Sequence, residues 1–392
     1  MLQWSNRRAK PFPTECRLWA RVGGQGGNAP VTDKGDIRDV LVLGAGKIGA
    51  AIVELLAATG DYRIAIADRD KALLGRLPGR EAEPRLADVT DVAALRELMR
   101  GKQAVISALP YFPNARVAEA ARDCGLHYFD LTEDVATTRR VRAIAADAAT
   151  AFMPQCGLAP GFIQVVAYDM TKKFESLDKV HMRVGALPEF PSNALHYNLT
   201  WSTDGLINEY LNPCEAIRHG RRVELEPLEG LEQFALDGVT YEAFNTSGGL
   251  GTLVDTLNGR VTELDYKTVR YPGHCEKMKL LIDDLKLGER RELLKDVLEY
   301  AIPVTLQDVV LVFVAVTGGR AGRLTQESYA KKIYAATIGS HPWSAIQITT
   351  AAAVCAMLDL MREGKIPRRG FVRQEDVPLA EFLANRFGRY YA

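Results

Sequence analysis

An excess of charge of either sign is missing from this chain: its 49 Lys and Arg residues balance 49 Asp and Glu. That balance leaves no electrostatic footprint for nucleic acid and none for an anionic membrane surface, so a small-molecule partner is expected. Long apolar runs are missing too. The strongest candidate, residues 346–360, is interrupted by Gln347, Thr349, Thr350 and Asp359, whereas a membrane-spanning helix needs about 20 predominantly apolar residues. Cysteine pairing is also absent: Cys16, Cys124, Cys156, Cys214, Cys275 and Cys355 are scattered without a C-x-x-C pair or a metal-ligand spacing. This argues against a structural zinc or any other metal site, and is the pattern of reduced thiols in a cytoplasmic protein.

What is present is a chain of 392 residues with 47% hydrophobic content, long enough to exceed a single hydrophobic core and to be expected as more than one domain. The first stretch differs in kind. Residues 1–36 carry Arg7, Arg8, Lys10, Arg17 and Arg21, show little apolar periodicity, and include Gly23-Gly24-Gln25-Gly26-Gly27. A transit peptide would bring more Ser and a clear amphipathic helix, so a disordered extension outside the fold is expected.

From residue 39 short apolar runs alternate with helical patterns. Residues 40–43, Val-Leu-Val-Leu, read as a strand buried on both faces, and residues 47–59 as a helix. Further strands are expected at 62–67, near 84–87, at 103–106 and at 127–129, with helices at 91–100 and 114–124 capped by Asp or Asn. Alternation of this kind predicts an α/β fold, a Rossmann-type doubly wound parallel sheet. After residue 153 the pattern turns irregular. Strand-like segments at 180–184, 240–244, 261–269 and 309–316 mix with helices at 276–287 and 290–300, which predicts an inserted α+β substrate domain. A small-residue helix at 344–362 is expected to return the chain to the first domain. The resulting division is 1–36, 37–160, 161–340 and 341–392.

Between the first strand and helix lies Gly44-Ala45-Gly46-Lys47-Ile48-Gly49. Three glycines at this spacing are common by chance, but here the turn follows a strand, opens a helix, and precedes Asp68 by about twenty residues, as the dinucleotide fingerprint requires. Gly44 is assigned the tight turn, Gly46 the close approach of the pyrophosphate, and Gly49 the packing of helix on strand, with Lys47 and Ile48 at the helix N-terminus that meets the phosphates. Asp68 can accept bonds from the ribose hydroxyls and repels a 2′-phosphate, which favours NAD; Arg69 beside it pulls toward NADP. Asp88 and Val89, and Ser107-Ala108-Leu109-Pro110, follow later strands at the sheet edge where ligands bind, and complete the candidate cofactor site with Leu158.

Two segments are candidates for chemistry. Asp130-Leu131-Thr132-Glu133-Asp134 follows the fifth strand; Glu133 and Asp134 read as an acidic helix start, and Asp130 as the functional carboxylate. In Tyr266-Lys267-Thr268-Val269-Arg270-Tyr271-Pro272-Gly273-His274, period-two alternation puts Tyr266, Thr268 and Arg270 on one strand face. Arg can bind a carboxylate through two bonds, and the hydroxyls can orient an amine or water. A merely solvated face is the plainer alternative.

At Pro154-Gln155-Cys156-Gly157-Leu158-Ala159-Pro160-Gly161-Phe162, at Trp201-Ser202-Thr203-Asp204-Gly205-Leu206-Ile207-Asn208-Glu209-Tyr210, at Thr246-Ser247-Gly248-Gly249-Leu250-Gly251-Thr252 and at Thr268-Val269-Arg270-Tyr271-Pro272-Gly273-His274, the sequence resembles the saccharopine dehydrogenase family. The resemblance is strongest to the branch that acts on L-lysine itself and runs from about residue 40 to the C-terminus. It implies NAD-dependent oxidative deamination of the lysine ε-amine to allysine, with release of ammonia, by a homodimer joined through the second domain. It places Tyr266, Thr268, Arg270 and Asp130 in the substrate region, with Arg270 on the α-carboxylate. Hydride can leave the ε-carbon only from the free amine, whose ordinary pKa is about 10.4, so a base and an alkaline optimum are expected. Asp130, Tyr266 and His274 are open candidates for that base, His274 also reading as a turn residue. Cleavage of the C–N bond of saccharopine and a non-catalytic NAD-binding regulator are the competing functions.

Overall fold

The computed structural model describes residues 36–77, 82–339 and 341–392. Its contacts divide into two units, Met1–Asp36 and Ile37–Ala392, and the second is described below. The extension expected over 1–36 lies, Asp36 apart, outside the described residues.

Short aliphatic runs form strands where both faces are covered. Strands β1 (Asp39–Leu43), β2 (Arg63–Asp68), β3 (Ala82–Leu86), β4 (Ala104–Ser107), β5 (His127–Asp130) and β6 (Ala151–Met153) alternate with helices Lys47–Ala57, Lys71–Leu74, Val92–Met99, Asn114–Cys124 and Val135–Ala145. Val40, Leu41, Val42 and Leu43 have no exposed surface. The strands pair in parallel in the order β3-β2-β1-β4-β5-β6. The expected doubly wound sheet is therefore present, and its order reverses between β1 and β4, the switch point at which such sheets bind ligands.

Helix Phe162–Thr171 leads to a second sheet built from β7 (Ser176–Pro188), β8 (Cys214–Arg218), β9 (Arg221–Leu225), β10 (Glu232–Leu236), β11 (Val239–Asn245), β12 (Val261–Arg270), β13 (Asp308–Arg320) and β14 (Arg323–Tyr334). Its order is β10-β11-β12-β7-β13-β14, with β8 and β9 attached beside β12. Only β12 and β7 run parallel among these neighbours. After the hairpin β15 (Ala336–Ile338) and β16 (His341–Trp343) the chain enters helix Ala345–Arg362, and β17 (Gly370–Phe371) then adds to β6 as the seventh strand of the first sheet.

Helix Ala345–Arg362 starts where Ser344 and Gln347 cap each other, Gln347 N–H donating to Ser344 Oγ at 3.3 Å and Ser344 N–H to Gln347 Oε1 at 3.0 Å. By length and mean hydropathy of 1.3 it could cross a membrane, but 89% of it is buried inside the protein. It packs in one core with Ile52 and Leu56 of helix Lys47–Ala57. Asp359 fastens its far end, accepting from Tyr62 Oη at 2.6 Å, Asn385 Nδ2 at 2.9 Å and Arg386 Nη2 at 2.7 Å.

Two local expectations need correction. The helix expected over 276–287 is instead a helix His274–Lys279 that widens into a π turn, Leu280–Asp284, followed by a 3-10 turn, Leu287–Glu289. The extra residue keeps Ile282 buried with Met278 while Leu280 and Leu285 face outward. Asn114, expected as a cap, is the first residue inside its helix; Pro113 holds the cap position, and the Asn114 side chain accepts from Ser107 Oγ at 2.7 Å.

Candidate active site

The glycine turn sits at the switch point. Gly44 adopts a left-handed φ of +98°, and a Cβ there would lie 2.8 Å from the carbonyl oxygen of Ala108. A Cβ on Gly49 would stand 1.8 Å from the Gly44 carbonyl oxygen, so only glycine lets the helix start this close to the turn. Gly46 is different: nothing lies within 4 Å of its Cβ position. The backbone there faces an open cleft at a helix N-terminus, a cradle for a pyrophosphate. Asp68 is held in place by Ala45 N–H at 2.7 Å on one oxygen and Asp70 N–H at 2.8 Å on the other, leaving each oxygen a further lone pair for a ribose hydroxyl. Asp68, Arg69, Asp88 and Val89 line one end of the cleft; Leu109 and Pro110 line both this end and the adjoining cavity. Asp88 accepts from Thr90 N–H at 2.8 Å, and that bond holds its carboxyl below the usual range, helped by Arg69 and Arg116.

The adjoining cavity, about 310 Å³, lies between the two sheets. Gly46, Lys47, Ile48, Ala108 and Leu158 border it from the first sheet, and Tyr266, Thr268 and Arg270 from one face of β12. Arg270, 2% exposed, is fixed by a chain of bonds. Its Nε donates to Tyr210 Oη at 3.1 Å and its Nη1 to the Val269 carbonyl at 2.8 Å. Tyr210 Oη lies 3.1 Å from His274 Nε2, and His274 Nδ1 lies 2.8 Å from the Leu195 carbonyl. A carbonyl only accepts, so Nδ1 carries the proton, Nε2 accepts from Tyr210, and the Tyr210 oxygen is left to accept from Arg270. Burial, with Arg270 nearby, pushes His274 down to about 3, which keeps the ring neutral. Tyr197 stacks on the guanidinium, 5.0 Å from ring centre to Cζ.

Two carboxyls complete the wall. Glu209, 6% exposed on helix Thr203–Leu211, is pushed up to about 8 by burial; Arg270 opposes this and Glu133 adds to it. Glu133 is half-buried and pushed up to about 7, by burial first and by Asp134 and Asp130 next. Both therefore change charge near neutral pH, where a proton acceptor works best.

Not every expected residue reaches the cavity. Asp130 is completely buried beneath it, its carboxyl occupied by Tyr128 Oη at 2.6 Å, Thr132 N–H at 3.0 Å and Gln155 N–H at 2.9 Å; it organises the loop and does not face a ligand. His274 stands behind Tyr210 and is likewise no proton acceptor for a substrate. Ser107, turned toward Asn114, lines neither space. Glu133 is no mere acidic helix start: Asp134 alone caps helix Val135–Ala145, accepting from Thr137 N–H at 2.6 Å. Glu209 received no role from the sequence. Its available signal was position, since Leu206 and Tyr210 place it on the buried face of its helix.

Models of two domains cover nearly all of Ile37–Ala392: the saccharopine dehydrogenase NADP binding domain over residues 40–153 and the saccharopine dehydrogenase C-terminal domain over residues 157–389. The chain belongs to the saccharopine dehydrogenase family. Its first sheet is the family's pyridine-nucleotide domain. Saccharopine dehydrogenase [NADP(+), L-glutamate-forming] of Saccharomyces cerevisiae is 25% identical over 266 residues, which span 63% of this chain and 58% of that protein. The chain thus matches little more than half the length of that curated relative. The apo structure of the same yeast enzyme superposes with a TM-score of 0.71 at 18% identity, covering 90% of this chain and 96% of that one. A homospermidine synthase of Legionella pneumophila in complex with NAD gives 0.64 at 14% identity over 90% and 89%. These likenesses establish the shared fold.

Proposed function

We propose that this family member is an NAD-dependent L-lysine 6-dehydrogenase, converting the ε-amine of lysine to an aldehyde with release of ammonia. The observation that carries the reading is the charge set of the cavity. Away from Lys47 at the helix N-terminus, the charged side chains on its wall are one guanidinium, Arg270, and two carboxyls, Glu133 and Glu209. Lysine presents the complement, one carboxylate and two ammonium groups. Saccharopine presents three carboxylates and needs anion receptors beyond Arg270. Arg270 receives the α-carboxylate through charge-assisted bonds. Thr268 and Tyr266 lie on the same face to orient the chain of the substrate, and Leu158, Pro160 and Ile346 supply apolar surface that excludes water.

The dinucleotide, when bound, supplies the two-electron acceptor. Gly46 and the first turn of helix Lys47–Ala57 hold its pyrophosphate, and Asp68 its adenosine ribose. A dianionic 2′-phosphate would face the fixed Asp68 carboxylate, which supports NAD over NADP. The protein's remaining task is to take a proton from an ammonium of pKa about 10.4, for which it offers acceptors that ionise near neutrality. Measuring NADH formation by its absorbance with NAD and lysine, then with NAD and saccharopine, tests the reading. NADH with lysine alone is expected; turnover of saccharopine with none of lysine overturns it.

A further inference from the structure

We infer that Glu209 is the group that removes the proton from the substrate ammonium, with Glu133 as its partner carboxyl. The inference rests on reading the cavity as an amine-oxidising site. The step is a proton transfer: an N–H bond breaks, an O–H bond forms on the Glu209 carboxylate, and the nitrogen keeps the electron pair it needs when hydride departs.

Placement carries the argument. A buried carboxyl is normally engaged by hydrogen bonds, because an unpaired one is costly. Glu209 is 6% exposed, yet among the described residues it takes part in no side-chain hydrogen bond or salt bridge, and it lines the cavity. Arg270, the cation that favours its ionisation, has Nε and Nη1 committed to Tyr210 and the Val269 carbonyl. Gly205, one turn earlier on the same helix, keeps the space open. A Cβ there would meet the Trp201 ring at 2.4 Å and Glu133 Oε1 at 3.3 Å. Glu133 is the less free of the two, since the Asn208 side chain binds it.

The surroundings set the direction of titration. The groups that face Glu209 electrostatically are Glu133, Arg270, Tyr197, Tyr210, Tyr266 and Cys214. Burial pushes each of the four neutral groups among them upward, so they stay uncharged at working pH. Glu133 therefore opposes ionisation of Glu209 and Arg270 favours it. An arriving ammonium tips that balance, ionising the two carboxyls.

The test uses the protein with bound nucleotide and the isosteric Glu209→Gln, whose thermal unfolding is checked against wild type. Wild type should show kcat/KM for lysine rising through pH 7 to 8. Glu209→Gln should lose about 10²- to 10⁴-fold in kcat, the range of a lost general base, and lose that limb of the profile. Glu133→Gln should move the limb to lower pH by removing the repelling charge. A second readout needs no turnover: calorimetry of lysine binding to the NADH complex at pH 7, in buffers of different ionisation enthalpy. Wild type should release close to one more proton per lysine bound than Glu209→Gln, because in the variant only Glu133 is left to ionise. If wild type oxidises lysine and Glu209→Gln does so within tenfold and with the same pH limb, the assignment is overturned while the function stands. If wild type neither binds nor oxidises lysine, both are overturned.

Discussion

Replacing Tyr210 with Phe removes one oxygen from the chain that fixes Arg270 and leaves the rest of the ring in place. Two buried groups then lose their partner, Arg270 Nε, which donated at 3.1 Å, and His274 Nε2, which accepted at 3.1 Å. Each unsatisfied buried group costs about 1–3 kcal/mol, so the fold should lose roughly 2–6 kcal/mol of stability, less whatever relaxation recovers. The guanidinium keeps its bond to the Val269 carbonyl and its stacking on Tyr197, so it stays in the cavity but is free to turn. A charge-assisted bond to the substrate carboxylate is worth about 1.5–3 kcal/mol, and every 1.4 kcal/mol is about tenfold. The expected result is a ten- to hundredfold fall in kcat/KM for lysine, carried mainly by KM. Steady-state kinetics with 1,5-diaminopentane, which has no carboxylate, is the control and should change less than threefold. Equal losses for the two substrates, or an unchanged lysine KM in a measurably destabilised protein, would refute the role given to Arg270.

Gly46→Ala and Gly49→Ala should separate ligand space from packing space: the first should fold with little change in melting temperature but bind NAD weakly, and the second should lose stability, because its Cβ would lie 1.8 Å from the Gly44 carbonyl oxygen. Calorimetric unfolding with and without NAD distinguishes them. Asp68→Ser should raise kcat/KM with NADP relative to NAD, measured as a ratio on one preparation. The contribution of Glu209 to the stability of the ligand-free protein should fall as pH rises from about 4.5 to about 8, read as the difference between wild type and Glu209→Gln. Glu209 is pushed from 4.5 to about 8, so the folded state binds the extra proton in that window, and its contribution is lost as pH passes the folded value.

What could be read from the sequence was what neighbouring residues encode. The aliphatic run ending at Leu43, the glycine turn and Asp68 each state their environment within a few residues, and all three come together at the switch point. Alternation likewise put Tyr266, Thr268 and Arg270 on one face of β12 and so into one cavity. Tertiary partners decided the rest. Asp130 and Glu133 are three residues apart on one loop, and only the bonds from Tyr128 and Gln155 show that the first is consumed while the second is open. His274 follows a Pro-Gly turn, and nothing nearby in sequence shows that Tyr210 stands between it and the cavity. β14 was not anticipated because its polar residues, from Thr325 to Lys332, hide a strand held by β13. β17 is two residues long, too short for any periodicity.

The central claim is that the ε-nitrogen of lysine leaves as ammonia with two electrons passed to NAD. The most direct measurement follows that nitrogen: incubation with NAD and lysine labelled with ¹⁵N at the ε position, then at the α position, with ammonium detected by NMR. The expected result is labelled ammonium from the ε-labelled substrate only, in step with NADH. The ε label retained in an organic product, or ammonium released from the α position, would contradict the account.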